Sequence, residues 1–386
     1  MKKGTILFDD ILTTIGEDAF KDCENLTSIT LPKKVNSILA NAFQNCINLN
    51  EINYNGNSSD FKKIKFEANW NDNVPAEYAY CNDDKVRIKF NYLTFTAQQD
   101  NSSIGLTKLS TNQTLEYSTD TITWNTFDTT TNISLNNRDK VYVRGVLSVN
   151  NTEFNYTQFK MTGKIVASGN CNALWNYQDL NAPLKKYCGY NMFRNCTSLT
   201  TAPKLPATIL AKNCYSSMFY GCKSLTAAPE LPATTLADYC FANMFNGCRA
   251  LTTAPSMLPA TTLAEACYYG MFNGCSSLTA APELPATTLA ELCCWYMFYN
   301  CKSLTTAPEL PATTLNSSCY REMFYGCSKL NHIKCMATNI SASNCTSDWV
   351  NGVSSTGTFI KHPDMNNWTT GVNGIPSGWT VEDAVL

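Results

Sequence analysis

Residues that catalytic and nucleic-acid-binding sites depend on are scarce in this 386-residue chain. Histidine occurs only twice, as His332 and His362, so a cysteine–histidine nucleophile pair has few positions to draw on. No basic patch interleaved with aromatic residues is present and the formal charge is -2, which argues against a nucleic-acid partner. Glycine-rich phosphate loops and the HExxH metal motif are also missing. The sequence therefore predicts no enzyme, no cofactor and no metal site.

Long apolar runs are missing as well. No stretch reaches the roughly 20 apolar residues that span a bilayer, so we expect no membrane insertion. The first ten residues, "MKKGTILFDD", have an apolar run too short for the roughly 7–15 residues of a secretory signal. We therefore predict that the chain has no signal peptide.

Cysteine, by contrast, is abundant, with 19 residues. One interpretation is a disulfide-rich secreted protein, and the other is a core that uses thiols as small apolar side chains. Most of these cysteines recur periodically beside methionine and phenylalanine, where a small apolar residue belongs. This placement favours buried free thiols, with a column of disulfides as the alternative.

One sequence unit recurs six times in the second half of the chain. Each copy has the frame Cys-x3-Met-Phe-x2-Cys, followed in most copies by Leu-Thr-x-Ala-Pro-x-Leu-Pro-Ala-Thr. One such unit cannot bury its own apolar face, so neighbouring units must stack into a solenoid. The methionines mark a step of 26 or 27 residues: Met192, Met218, Met244, Met271, Met297 and Met323.

The spacing within a unit predicts a helical turn followed by two extended stretches. Cys188, Met192 and Cys196 fall at i, i+4 and i+8, which is one face of a short helix. The two prolines of the next segment forbid a helix there. The predicted fold class is therefore an α+β repeat solenoid with an inserted all-β sandwich.

Four regions are predicted along the chain. Residues 1–87 form a short repeat domain that contains "IGEDAFKDCENLTSITLP" and "ILANAFQNCINLNEINYN". Residues 88–165 lack cysteine and alternate apolar with polar residues, which predicts the Ig-like β-sandwich. Residues 166–345 form the solenoid of about six units, and residues 346–386 are expected to cap its last coil.

The pattern Ile-x3-Ala-Phe-x2-Cys-x2-Leu-x2-Ile-x-Leu-Pro in "IGEDAFKDCENLTSITLP" connects the chain to a known family. It resembles the BspA-like leucine-rich repeats of bacterial surface proteins. The longer units, such as "CYSSMFYGCKSLTAAPELPATTLA", look like a variant from gut Bacteroidetes or their phages. The resemblance implies a right-handed leucine-rich solenoid used for adhesion or ligand recognition, and it implies no catalytic residues.

Each unit varies most in the three positions after its first cysteine and in the position after Met-Phe. The second and third of these positions accept Tyr, Trp, Arg, Glu, Ser and Gly, which predicts that they face solvent. The first is aromatic in four of six units and is also able to pack inward. Neutral surface drift is one explanation, but the aromatic bias favours a partner-binding face. The predicted ligand-binding residues are Tyr190, Arg194, Tyr215, Tyr220, Phe241, Tyr268, Tyr269, Trp295, Tyr296, Tyr299, Tyr320, Arg321 and Tyr325.

These features support a non-catalytic recognition or adhesion protein that binds a cell-surface protein or glycan. The missing leader favours a phage tail appendage with a receptor-binding role over a bacterial surface adhesin. A structural spacer in a surface or tail fibre, or in another oligomer, is the alternative. A secreted adhesin that has lost its leader is a more distant one.

Overall fold

A computed structural model describes residues 4–67, 70–71, 74–76, 78–88, 92–121 and 123–385. The chain forms two compact units, residues 1–91 and 92–386. Within the described residues, no helix is long and apolar enough to cross a membrane.

The first unit is built on two sheets whose strands run parallel from one coil to the next. One sheet has the order β1-β3-β5-β7-β8 and the other the order β2-β4-β6, and only β8 pairs antiparallel. Buried leucine, isoleucine and phenylalanine side chains fill the space between the coils. The elements are β1 (Gly4–Leu7), β2 (Thr14–Ile15), β3 (Leu26–Leu31), β4 (Ser37–Ile38), β5 (Glu51–Tyr54), α1 (Ser58–Phe61), β6 (Lys65–Phe66), β7 (Tyr78–Tyr80) and β8 (Lys85–Arg87).

The second unit begins with antiparallel strands that lead directly into the repeats. Strands β13-β10-β15 form one sheet, and β12-β11-β14-β9-β16-β17 form another. The elements are β9 (Leu93–Ala97), β10 (Ser102–Lys108), β11 (Gln113–Ser118), β12 (Asn125–Thr126), β13 (Asn132–Leu135), β14 (Lys140–Leu147), β15 (Gln158–Thr162), β16 (Ile165–Ser168), a 3-10 helix (Cys171–Leu174) and β17 (Leu199–Thr201).

The prediction of an inserted sandwich is wrong, because these strands are continuous with the solenoid. Strand β16 pairs parallel with β17, which belongs to the first long repeat, so one sheet runs across the expected boundary. Phe159 of β15 stacks on Phe193 of that repeat at 5.2 Å, and the two regions share one continuous core. The antiparallel strands therefore close the end of the coil stack and are not an independent insertion.

The predicted helical turn of each repeat is also wrong, because the backbone there forms consecutive tight turns. In the second repeat Met218 N–H donates to the carbonyl of Tyr215, three residues back. Its neighbour Phe219 N–H instead donates to Met244 of the next coil, at 2.9 Å. Donors alternate in this way through the segment, so half of the hydrogen bonds tie one coil to the next. The described part of the solenoid is therefore not of α+β type.

A left-handed residue recurs at every fourth position of these turns. In the first repeat Tyr187, Asn191 and Asn195 all have φ between 54° and 60°. A turn that repeats every four residues returns side chains to the same face at i, i+4 and i+8. The core positions Cys188 and Met192 are therefore buried as the helical pattern predicted, although no helix forms.

Stacked columns of identical side chains make the solenoid core. Each phenylalanine ring of the Met-Phe pair lies 5.4–5.8 Å from the next, with planes within 11° of parallel. The second cysteine of a coil donates its S–H to the phenylalanine carbonyl of the preceding coil, as from Cys248 to Phe219 at 3.1 Å. The stack ends in a parallel sheet of β18 (His332–Cys335), β19 (Thr358–Lys361) and β20 (Thr380–Asp383).

Candidate functional site

The turn segments place four of the predicted binding residues in the core. Tyr215, Phe241, Tyr268 and Tyr320 are at most 2% exposed. The first three rings form a column that starts on Trp175, with centroids 5.9 Å apart. These four side chains cannot reach a partner, so their assignment to a binding face is corrected. The position directly after the first cysteine points inward in every coil where it is aromatic.

The second and third positions differ from coil to coil in how much they protrude. Asn191, Ser216, Ser217 and Ala242 are buried, contrary to the expectation that these positions face solvent. Their side chains are short and do not reach the surface. The later coils carry large side chains at the same positions, and those remain partly exposed.

Five aromatic residues of coils four to six lie in contact and form what we call the C-terminal cluster: Tyr269, Trp295, Tyr296, Tyr299 and Tyr325. Tyr269 stands perpendicular to Trp295 and Tyr296, at 5.5 and 5.8 Å. Tyr299 and Tyr325 stack at 4.8 Å with planes 8° apart. All five are partly exposed.

A second group, the N-terminal cluster, brings together Tyr156, Tyr187 and Tyr190. Tyr156 lies in the segment before β15, and its ring meets Tyr190 of the first repeat edge-on at 5.3 Å. Tyr187 lies 5.5 Å from Tyr190. Phe154 is 80% exposed. Sequence reasoning identified only Tyr190 here, because Tyr156 comes from a segment outside the repeats and Tyr187 from the position before the first cysteine.

Two cations near these rings, Lys108 and Arg194, are held by contacts within the chain. Lys108 lies 4.1 Å from the centre of the Tyr156 ring and donates to the Phe154 carbonyl. Arg194 lies over Tyr220 at 4.4 Å.

Arg321 and Glu322 likewise contact each other, and Arg321 also contacts a ring of the C-terminal cluster. Arg321 lies 4.6 Å from the Trp295 ring centre, and its Nε is 3.4 Å from a Glu322 carboxylate oxygen. Burial, with Glu322 as the next cause, raises the pKa of Tyr269 and of Tyr296. Burial also raises the pKa of Tyr299. These phenols therefore remain neutral and keep their O–H donors at neutral pH.

The coil period, the stacked core columns and the hydrogen bonding between coils define a leucine-rich-repeat protein. The BspA type Leucine rich repeat region matches in six copies, over residues 3–75, 121–252, 172–282 and 260–348. The chain therefore belongs to the family of BspA-type leucine-rich-repeat proteins.

Among solved structures, the chain is similar to a leucine rich cell surface protein from Faecalibacterium prausnitzii A2-165. The sequences are 14% identical, the TM-score is 0.23, and the match covers 86% of this chain. The chain spans 59% of the length of that protein. No curated protein matches the chain.

Proposed function

We propose that this protein is a non-catalytic recognition protein that binds a cell-surface ligand through the partly exposed aromatic side chains of its repeats. The site consists of the remaining nine predicted residues: Tyr190, Arg194, Tyr220, Tyr269, Trp295, Tyr296, Tyr299, Arg321 and Tyr325. Aromatic and arginine side chains supply large, rigid contact areas and dominate many binding interfaces. The carrier is a bacterial cell surface, and a phage tail appendage is the alternative.

The observation that carries this proposal is the backbone at the third variable position. That position is left-handed in every coil, and the other four coils fill it with the small residues Asn191, Ser217, Asn243 and Gly270. Tyr296 and Glu322 occupy it with φ of 59° and 50°. A large L-residue in this conformation costs about 1–2 kcal/mol. Strained residues concentrate at functional sites, so their presence beside the exposed rings favours a binding role.

The repeats themselves supply variants that the fold tolerates. Tyr269→Ala, Trp295→Ser and Tyr296→Asn place in coils four and five the residues that other coils carry as Ala242, Ser216 and Asn243. We expect this triple variant to fold with a melting temperature within a few degrees of the parent and to lose binding.

Binding is measured with labelled protein on arrays of purified cell-surface glycans and extracellular proteins. Tyr80→Ser, at an exposed tyrosine of the first unit, is the matched control and should bind like the parent. If the triple variant keeps every array signal of the parent, the aromatic face is not the binding site. The structural-spacer alternative would then be favoured.

A further inference from the structure

The two aromatic clusters lie on the same side of the coils, and the side chains between them at the second variable position are small and buried. Tyr190 is in the first coil and Tyr269 in the fourth, both at the second variable position. Paired strands lie about 4.8 Å apart, so three coils separate these rings by about 14 Å. The same position in the two coils between them is filled by the buried Ser216 and Ala242. A ligand that touches both clusters must therefore be long and lie along the coil stack.

The charges around the clusters argue for an uncharged ligand. Three cations beside the rings, Lys108, Arg194 and Arg321, are each held over a ring of this face, and Glu322 lies against Arg321. A site for an acidic polymer needs cations that are free to pair with it.

The backbone beneath the face is closed to a peptide strand. In the first coil every N–H from Tyr187 to Cys196 donates either within its own turn or to the next coil. A strand that binds by β-addition needs a free main-chain edge. A ligand on this face is therefore expected to contact side chains and not the backbone.

Neutral amide side chains also lie between the two clusters. Asn246 and Asn273 occupy the position that Tyr220 and Tyr299 hold in other coils, and both are partly exposed. Amides and phenols hydrogen-bond hydroxyl groups, while open ring faces stack on the C–H face of a sugar ring. This combination fits a sugar chain better than an apolar peptide.

We propose that the two clusters bind one linear, uncharged glycan lengthwise along the coils, with a sugar-stacking subsite at each end. This inference rests on the proposed recognition function and names its ligand class. Each cluster alone holds a short glycan weakly. A chain that reaches both clusters gains from the effective concentration of its second contact.

Isothermal titration with linear β-glucan, mannan and xylan oligosaccharides, from disaccharide to octasaccharide, tests the proposal. We expect the affinity for one of these series to rise at least tenfold once the chain spans about 14 Å. A tyrosine-to-asparagine variant with Tyr299→Asn and Tyr325→Asn, which copies Asn246 and Asn273, also carries Tyr269→Ala, Trp295→Ser and Tyr296→Asn, so that no ring of the C-terminal cluster remains. It should bind short and long chains equally weakly. The control Tyr80→Ser should keep the length dependence.

Three results would overturn the glycan assignment. These are no binding by any neutral oligosaccharide, the same affinity at every chain length, or an unchanged length dependence in the tyrosine-to-asparagine variant. A proline-rich peptide that binds through Tyr299 and Tyr325 in place of the glycan would overturn the ligand class but leave the recognition function standing. If no array ligand depends on either cluster, the recognition function fails with it.

Discussion

The buried thiols should make the second unit unfold in mild alkali. A thiol held neutral by burial resists ionisation in the folded state, whereas the same thiol in the unfolded chain ionises freely. Besides Cys345, twelve cysteines of this unit have pKa values raised chiefly by burial: Cys171, Cys196, Cys214, Cys222, Cys240, Cys248, Cys267, Cys275, Cys301, Cys319, Cys327 and Cys335.

The magnitude follows from proton linkage. Burial raises the pKa of Cys248 to about 12, while an unfolded-chain thiol titrates near 8.5, so the unfolded state loses its proton first. The stabilisation is fully present below about pH 8.5 and is lost as pH rises from there through the folded-state pKa. Between about pH 8.5 and 9.5 each thiol favours unfolding by about 1 kcal/mol. Twelve thiols together contribute on the order of 10 kcal/mol, comparable with the whole stability of a typical domain.

Urea unfolding followed by circular dichroism, under nitrogen with a reductant, measures this loss. The midpoint should fall sharply between about pH 8.5 and about pH 9.5. Cys248→Ala with Cys301→Ala removes two titrating groups and should lessen the loss by about 2 kcal/mol. The matched control is Cys23→Ala, since Cys23 is exposed and its removal should leave the slope unchanged. A midpoint that stays constant across this interval would refute the neutral thiol core.

Three further predictions concern the same coils. Cys23 is exposed, Cys81 is partly exposed, and the remaining cysteines are buried. A water-soluble thiol reagent should therefore modify two cysteines in the native protein and all nineteen after denaturation. A lower count after denaturation would reveal disulfides. Phe245→Ala opens the phenylalanine column and should lower the unfolding free energy by about 3–5 kcal/mol in urea titrations, with a cost below 1 kcal/mol contradicting the stacked core. Leu292 has a left-handed backbone with φ of 59°. Leu292→Asn, which copies Asn213, should therefore raise the unfolding free energy by about 1 kcal/mol. A lower melting temperature would contradict the strain argument.

The solenoid was predictable from its repeat of 26 or 27 residues. Within a unit the core residues recur every four positions, a spacing that is hard to distinguish from that of a helix. The sequence pattern correctly predicted that Cys188 and Met192 are buried, but it predicted a helix where the backbone forms consecutive tight turns. The sequence did carry a signal for the turns. One position is always Asn or Gly in the six long units, as at Asn195 and Gly221, and these are the residues that tolerate a left-handed backbone. A helix would have no reason to require them every 26 residues.

The candidate site was only partly predictable, since two of its features depend on contacts distant in sequence. The burial of Tyr215 follows from the column that begins at Trp175, which lies outside the long repeats. The contact of Tyr156 with Tyr190 joins a segment between strands to a repeat, and no repeat alignment pairs them. The Ig-like sandwich was expected to be separate for the same reason, because a sequence pattern does not show that β16 continues into β17.

The repeated frame makes stability and recognition separable in this molecule. Each coil offers the same backbone to six different sets of side chains, so a residue taken from one coil is already compatible with the others. Tyr296 and Glu322 stand where the other coils have Asn, Ser or Gly, so the backbone preference of the position has been overridden. Core packing does not explain this, because both side chains remain partly exposed. Replacing Tyr296 by Asn should therefore relieve backbone strain while it removes a ring from the C-terminal cluster. A variant with weaker binding and undiminished stability would show that the position serves recognition, whereas equal losses in both would show that the ring is part of the fold.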